Sequence, residues 1–189
     1  MLESMNMTRR RTVIRGFTLI ELMVVVALAA VLLTLVAPSF NATLARKRLE
    51  GAANELASDL QYARSEAAQR NAAVGVAFGS NCYAIYVLGS SDATACASLG
   101  TGAIELKTVQ VPGGIALSLN SPGSKAFVAF DPVRGMAVDA SSGTTDLSGF
   151  VTATSSAGNW QARAIVTKVG RIKLCSPNST LTTLSTDCN

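Results

Sequence analysis

The stretch RGFTLIELMVVVALAAVLLTLVA, residues 15–37, decides how the rest of the chain is read. From Phe17 to Ala37 it holds a single charge, Glu21. As a helix these 21 residues would extend about 31 Å at roughly 1.5 Å per residue, which matches a hydrocarbon core of about 30 Å. Arg9, Arg10, Arg11 and Arg15 lie before it against one acid, Glu3, a net of +3 over residues 1–16. A second basic cluster, Arg46, Lys47 and Arg48, follows at a greater distance. The nearer cluster precedes the first span, which places the N-terminus in the cytoplasm and exports the remainder.

A secretory signal peptide has an apolar region of about 7–15 residues followed by small residues at a cleavage site. Here the run is longer, and Pro38 and an amphipathic helical pattern follow it. Cleavage behind the run would discard the most specialised part of the chain. Glu21 sits four residues into the run, where a helical first turn favours a negative charge. An acid at mid-bilayer costs on the order of 2.5–3.5 kcal/mol, less near the end of a span.

Arg15-Gly16-Phe17-Thr18-Leu19-Ile20-Glu21-Leu22 resembles the class III signal of type IV pilins and type II secretion pseudopilins. The resemblance implies cleavage by prepilin peptidase between Gly16 and Phe17, on the cytoplasmic side, and N-methylation of the new terminus at Phe17. It also implies that Glu21 pairs with the N-terminal amine of a neighbouring subunit. A buried carboxylate and a buried ammonium each lose hydration, and their contact offsets part of that loss. The apolar helix is kept on the mature protein. The domain plan is then a leader at 1–16, a transmembrane and assembly helix at 17–37, an amphipathic helix at 38–72 and a β-rich head at 73–189.

Composition agrees with one exported domain on an anchor. The chain has 189 residues, 49% hydrophobic and only 15% charged, too apolar for intrinsic disorder. Aromatics make up 5%, so Ala, Val, Leu and Ile must fill the core. Histidine is absent, which excludes Ser-His-Asp and Cys-His sites and metal centres that need imidazole. No phosphate-binding glycine loop and no nucleophile–base pair is present, so neither an enzyme nor a cofactor or metal protein is expected. The net charge of +4 resides mostly in the leader and gives no general case for a polyanionic partner.

Beyond Pro38, where a kink is expected, Leu49, Ala53, Leu56, Leu60, Ala63 and Ala67 recur at steps of three and four. They form one apolar helix face, with Glu50, Asp59, Arg64, Glu66 and Arg70 off it. Residues 17–70 therefore read as one helix, its second half packed on the head. From residue 73 the pattern is β. Runs at 74–78, 83–88, 115–119, 126–130, 162–168 and 170–175 are rich in β-branched and aromatic residues and punctuated by Gly, Ser, Asn, Asp and Pro. Residues 90–101 and 141–149 read as loops. The fold class is α+β: a long N-terminal helix on an antiparallel, sandwich-like head. This layout, with Leu60-Gln-Tyr-Ala-Arg-Ser-Glu-Ala67 and the Gly170-Arg171 pair, is similar to the GspH/FimT class of minor pilins and pseudopilins. A minor pilin of a type IV pilus is the implied function, with a type II secretion pseudopilin as the alternative. The implied partners are other pilins, prepilin peptidase and the bacterial inner membrane, with the head in the periplasm.

Four cysteines, Cys82, Cys96, Cys175 and Cys188, in an exported domain imply two disulfides. Three pairings are open, and proximity favours Cys82 with Cys96 and Cys175 with Cys188. After export, the concentrated positive charge is Arg163, Lys168, Arg171 and Lys173 against Asp187. Strand alternation puts Arg171 and Lys173 on one face and Ile172 and Leu174 on the other. Such a group can meet adjacent phosphates without reading sequence. Gly170-Arg-Ile-Lys173 resembles the Gly-Arg-x-Arg motif of DNA-binding minor pilins, with Lys173 in place of the second arginine. Double-stranded DNA is therefore a further implied partner. Trp160 is expected in the core.

Overall fold

The computed structural model describes residues 16–121, 125–138, 149–179 and 181–188, without the side chains of residues 34–39. Most of the leader and most of the 141–149 loop lie outside these residues. The chain divides into two units, residues 1–40 and 41–189.

One helix, α1 (Leu19–Arg70), begins in the first unit and ends in the second. Its start is set by Thr18, whose Oγ1 accepts a hydrogen bond from the Glu21 amide at 3.2 Å. Thr18 and Glu21 thus stand at the N-cap and third positions, the spacing of a capping box. The helix stops where Asn71 turns to φ +49° and the Ala72 amide donates to the Ala67 carbonyl. This is the six-to-one bond of a Schellman ending, with asparagine tolerating the left-handed conformation.

Among the described residues the second unit carries nine strands in two sheets. They are β1 (Val74–Phe78), β2 (Cys82–Val87), β3 (Ile104–Gln110), β4 (Ile115–Asn120), β5 (Phe127–Phe130), β6 (Ala137–Val138), β7 (Gly149–Ser155), β8 (Gln161–Val166) and β9 (Ile172–Cys175). One sheet has the order β3-β2-β1-β5-β6 and the other β4-β7-β8-β9. Each pairing is antiparallel. The α+β class holds, with the helix on antiparallel sheets.

The helix stripe Leu49, Ala53, Leu56, Leu60, Ala63 and Ala67 is buried in one core with residues of both sheets, among them Val76, Ile85, Phe130, Val151 and Val166. Trp160 packs at its edge, partly buried. Strand β1 is buried on both faces. Its second face meets a smaller cluster of Ala77, Tyr86, Ala93, Phe127 and Ala129, to which Leu99 and Ala103 add. The loop at 90–101 therefore works as a cover for the sheet. Gly75 stands opposite Tyr86 in the β1–β2 ladder, where a Cβ would lie 2.9 Å from the tyrosine ring.

Two acids expected on the free side of the helix are buried. Asp59 accepts a hydrogen bond from the Tyr83 hydroxyl at 2.8 Å and an ion pair from Lys107 at 2.7 Å. Burial, followed by the adjacent Asp59 carboxylate, drives the Tyr83 hydroxyl well above its usual pKa. Burial alone would raise the carboxyl of Glu50. Hydrogen bonds from Lys47 and Thr183, and the charges of Lys47 and Arg46, outweigh that and hold it below its ordinary value.

Three strands departed from expectation. β3 is an edge strand, mostly exposed, with Glu105, Lys107 and Thr108 breaking any apolar run. β7 is Thr- and Ala-rich, and β6 has two residues.

Candidate functional site

Two regions carry features that packing alone does not explain. The first is the start of α1. Phe17, Leu19, Ile20, Leu22, Met23, Val24, Val25, Val26, Leu28, Val31, Leu32 and Leu33 are 50–79% exposed. Isolated apolar residues on a surface are ordinary, but a contiguous patch marks an interaction with protein or lipid. Glu21 is exposed among them. Among the described residues no helix is long and apolar enough to cross a membrane, and the described side chains of this run stop at Leu33. Gly16 and Phe17 precede the helix in exposed chain without regular secondary structure.

The second region surrounds the C-terminal cations, and the structure distributes them differently from a single strand face. Arg163, in the middle of β8, stacks its guanidinium on the Phe150 ring at 4.0 Å. Lys173 points to Asp187 of the tail, 3.8 Å away. Ile172 and Leu174 face the core, as alternation requires. Lys168 is exposed in the β8–β9 turn, where its carbonyl accepts from the Ala137 amide at 3.1 Å. Arg171 lies elsewhere, in a cleft of about 780 Å³ between the helix, the turn after β5 and the β8–β9 turn. Arg64 and Arg134 line the same cleft. Sequence reading placed neither beside Arg171, because Arg64 comes from the helix and Arg134 from the turn after β5, both distant from it in the chain.

Local chemistry builds this cleft. Asp131 caps the turn after β5, its Oδ1 accepting from the amides of Val133 at 2.6 Å and Arg134 at 3.1 Å. That Asx geometry presents Val133 and Arg134 outward. The β8–β9 turn closes through the Thr167 amide on the Arg171 carbonyl and the Arg171 amide on Thr167 Oγ1. Gly170 has φ +72°, and a Cβ there would lie 1.9 Å from the Gly135 carbonyl oxygen. Both the left-handed backbone and the close approach demand glycine. The Gly170-Arg171 pair is therefore a backbone requirement followed by the side chain it delivers to the cleft.

Disulfides join Cys82 to Cys96 and Cys175 to Cys188. The first holds the loop that covers β1. The second ties the tail to the end of β9. Among the described residues no cluster of Cys, Asp and Glu could hold a metal ion.

Residues 52–180 match the family model described as type II transport protein GspH. Residues 11–37 match the prokaryotic N-terminal methylation motif. No curated relative matches the chain. Among solved structures, the type IV minor pilin FimU of Pseudomonas aeruginosa is similar with a TM-score of 0.50 and 21% identity, over 68% of this chain and 89% of that one. The minor pseudopilin EpsH of the type 2 secretion system of Vibrio cholerae is similar with a TM-score of 0.51 and 11% identity, over 69% and 98%. At these identities the likeness establishes the fold: a helix on two antiparallel sheets.

Proposed function

The chain belongs to the GspH family of minor pilins and pseudopilins, and from that premise we propose that it is a minor pilin of a type IV pilus. In this reading prepilin peptidase cuts between Gly16 and Phe17, and Phe17 becomes the methylated N-terminus. The helix anchors the subunit once in the bacterial inner membrane, with the head in the periplasm. On assembly it leaves lipid for a bundle of neighbouring helices, where Glu21 meets a neighbour's terminal amine.

The observation that carries this reading is the bare apolar face from Phe17 to Leu33, exposed at every large side chain. Such a surface needs lipid or other apolar helices around it, and the exchange of one for the other is close to neutral in hydrophobic free energy. Specific contacts then decide direction, and the single carboxylate in the run supplies one. The mechanism is assembly, and the head is cargo on the helix.

A type II secretion pseudopilin is the second reading, favoured by the description of the matching family as a type II transport protein. Deletion of the chain from its host separates the two. The pilus reading expects fewer surface filaments in sheared fractions and unchanged release of secreted enzymes. Normal filaments with enzymes trapped in the periplasm would establish the secretion reading instead. A nucleic-acid role has less support, since Arg163 is engaged by Phe150 and Lys173 by Asp187.

A further inference from the structure

Arg64, Arg134 and Arg171 reach one cleft from three separate elements. Among the described residues none of the three forms an ion pair. Among the described residues, the acids nearest them in sequence are engaged: Glu66 with Arg70, and one Asp131 oxygen with the two turn amides. Elsewhere in the second unit, acidic partners stand beside Arg46, Lys47, Lys107, Lys125 and Lys173. Three guanidinium groups around a concave site repel one another unless an anion joins them. Arginine's planar fork grips carboxylate and phosphate oxygens in pairs.

The rim decides between those anions. Val133 is 81% and Val169 61% exposed, and both line the cleft beside the arginines. Ile172, Ala68 and Pro132 add apolar wall. A phosphodiester backbone has no group for two valines. An acidic peptide does, wherever an apolar side chain neighbours its carboxylates. Residues 41–189 hold 12 Lys plus Arg against 10 Asp plus Glu, a net of +2, which is a weak field for drawing in a long polyanion.

We propose that this cleft docks an acidic, partly apolar segment of a partner protein, its carboxylates on Arg64, Arg134 and Arg171 and an apolar side chain between Val133 and Val169. The recognition is that of an acidic motif by an arginine cluster. The cleft lies wholly within the second unit, residues 41–189, so it serves in the same way whichever machine the subunit joins.

The test uses the full chain in a nonionic detergent and a fluorescein-labelled peptide, acetyl-Glu-Leu-Glu-Glu-Leu-amide. Fluorescence anisotropy is expected to show saturable binding that weakens about tenfold in Arg134→Ala and in Arg171→Ala. Both arginines are exposed, and circular dichroism melts confirm that the variants stay folded. The same peptide with glutamine for glutamate is expected not to bind. Val133→Ser combined with Val169→Ser is expected to weaken the peptide several-fold while leaving competition by inorganic phosphate unchanged. Absence of peptide binding would overturn the proposal, as would binding that ignores both arginine variants. A 12-base-pair DNA duplex that binds more tightly than the peptide, and loses that binding in the arginine variants, would overturn it in favour of a nucleic-acid site.

Discussion

Glu21→Ala is expected to remove the chain from assembled filaments while leaving membrane insertion and cleavage after Gly16 intact. The cap of the helix survives this change, because the bond to Thr18 Oγ1 comes from the backbone amide of residue 21. What is lost is the carboxylate in a run that is otherwise uncharged from Phe17 to Ala37. In a helical bundle that carboxylate would face a neighbour's terminal ammonium. Removing one partner of a buried pair leaves the other charge uncompensated, at about 3–5 kcal/mol. That corresponds to a factor of more than about 100 in the equilibrium between membrane pool and filament. Immunoblots of sheared filaments against the membrane fraction measure it directly. Wild-type incorporation of the variant would refute the pairing role of Glu21, whereas loss of processing would move its role to the peptidase step.

Cys175→Ser together with Cys188→Ser is expected to lower the unfolding free energy of the head by about 2–5 kcal/mol. For a domain of this size that is a fall in melting temperature of roughly 5–15 °C. The bridge closes a short loop, with a sequence separation of 13. The tail within it is part of the core: Leu181 is fully buried. The Ser176 amide donates to the Ser185 carbonyl at 2.8 Å, and the Ser176 hydroxyl donates to the Gln161 carbonyl at 3.1 Å. Arg46, on the helix, donates to Thr182 Oγ1 at 2.9 Å. Releasing the bridge frees all of these contacts at once and uncovers one edge of β9. A circular dichroism melt of the full chain in nonionic detergent checks the shift, and an unchanged midpoint would show that the tail holds without its bridge.

What was legible in the sequence was what local periodicity encodes. The helix stripe from Leu49 to Ala67 lines the core, and strands β1, β2, β4, β5, β8 and β9 lie where β-branched and aromatic runs stand. Edge and polar strands were not legible. β3 is an edge strand that keeps Glu105 exposed to water and Lys107 on Asp59, and β7 is built from small and hydroxyl residues. Nor was the burial of Asp59 legible, since it depends on Tyr83 and Lys107 arriving from two strands. The candidate site divides in the same way. The helix start was readable because the residues that make it are contiguous, from Gly16 to Glu21. The cleft was readable only in part. Gly170-Arg171 stood out as a pair, but Arg64 and Arg134 join it through the fold of the chain, and the engagement of Arg163 with Phe150 depends on strand register.

The retained apolar helix is the centre of the whole account, and the first residue of the native product reports on it most directly. Intact mass and N-terminal peptide mass spectrometry of the chain purified from membranes or filaments are expected to find a terminus at Phe17 carrying one methyl group. A terminus anywhere beyond Ala37 would mean that the helix is discarded, and the reading of this chain as a filament subunit would fail with it.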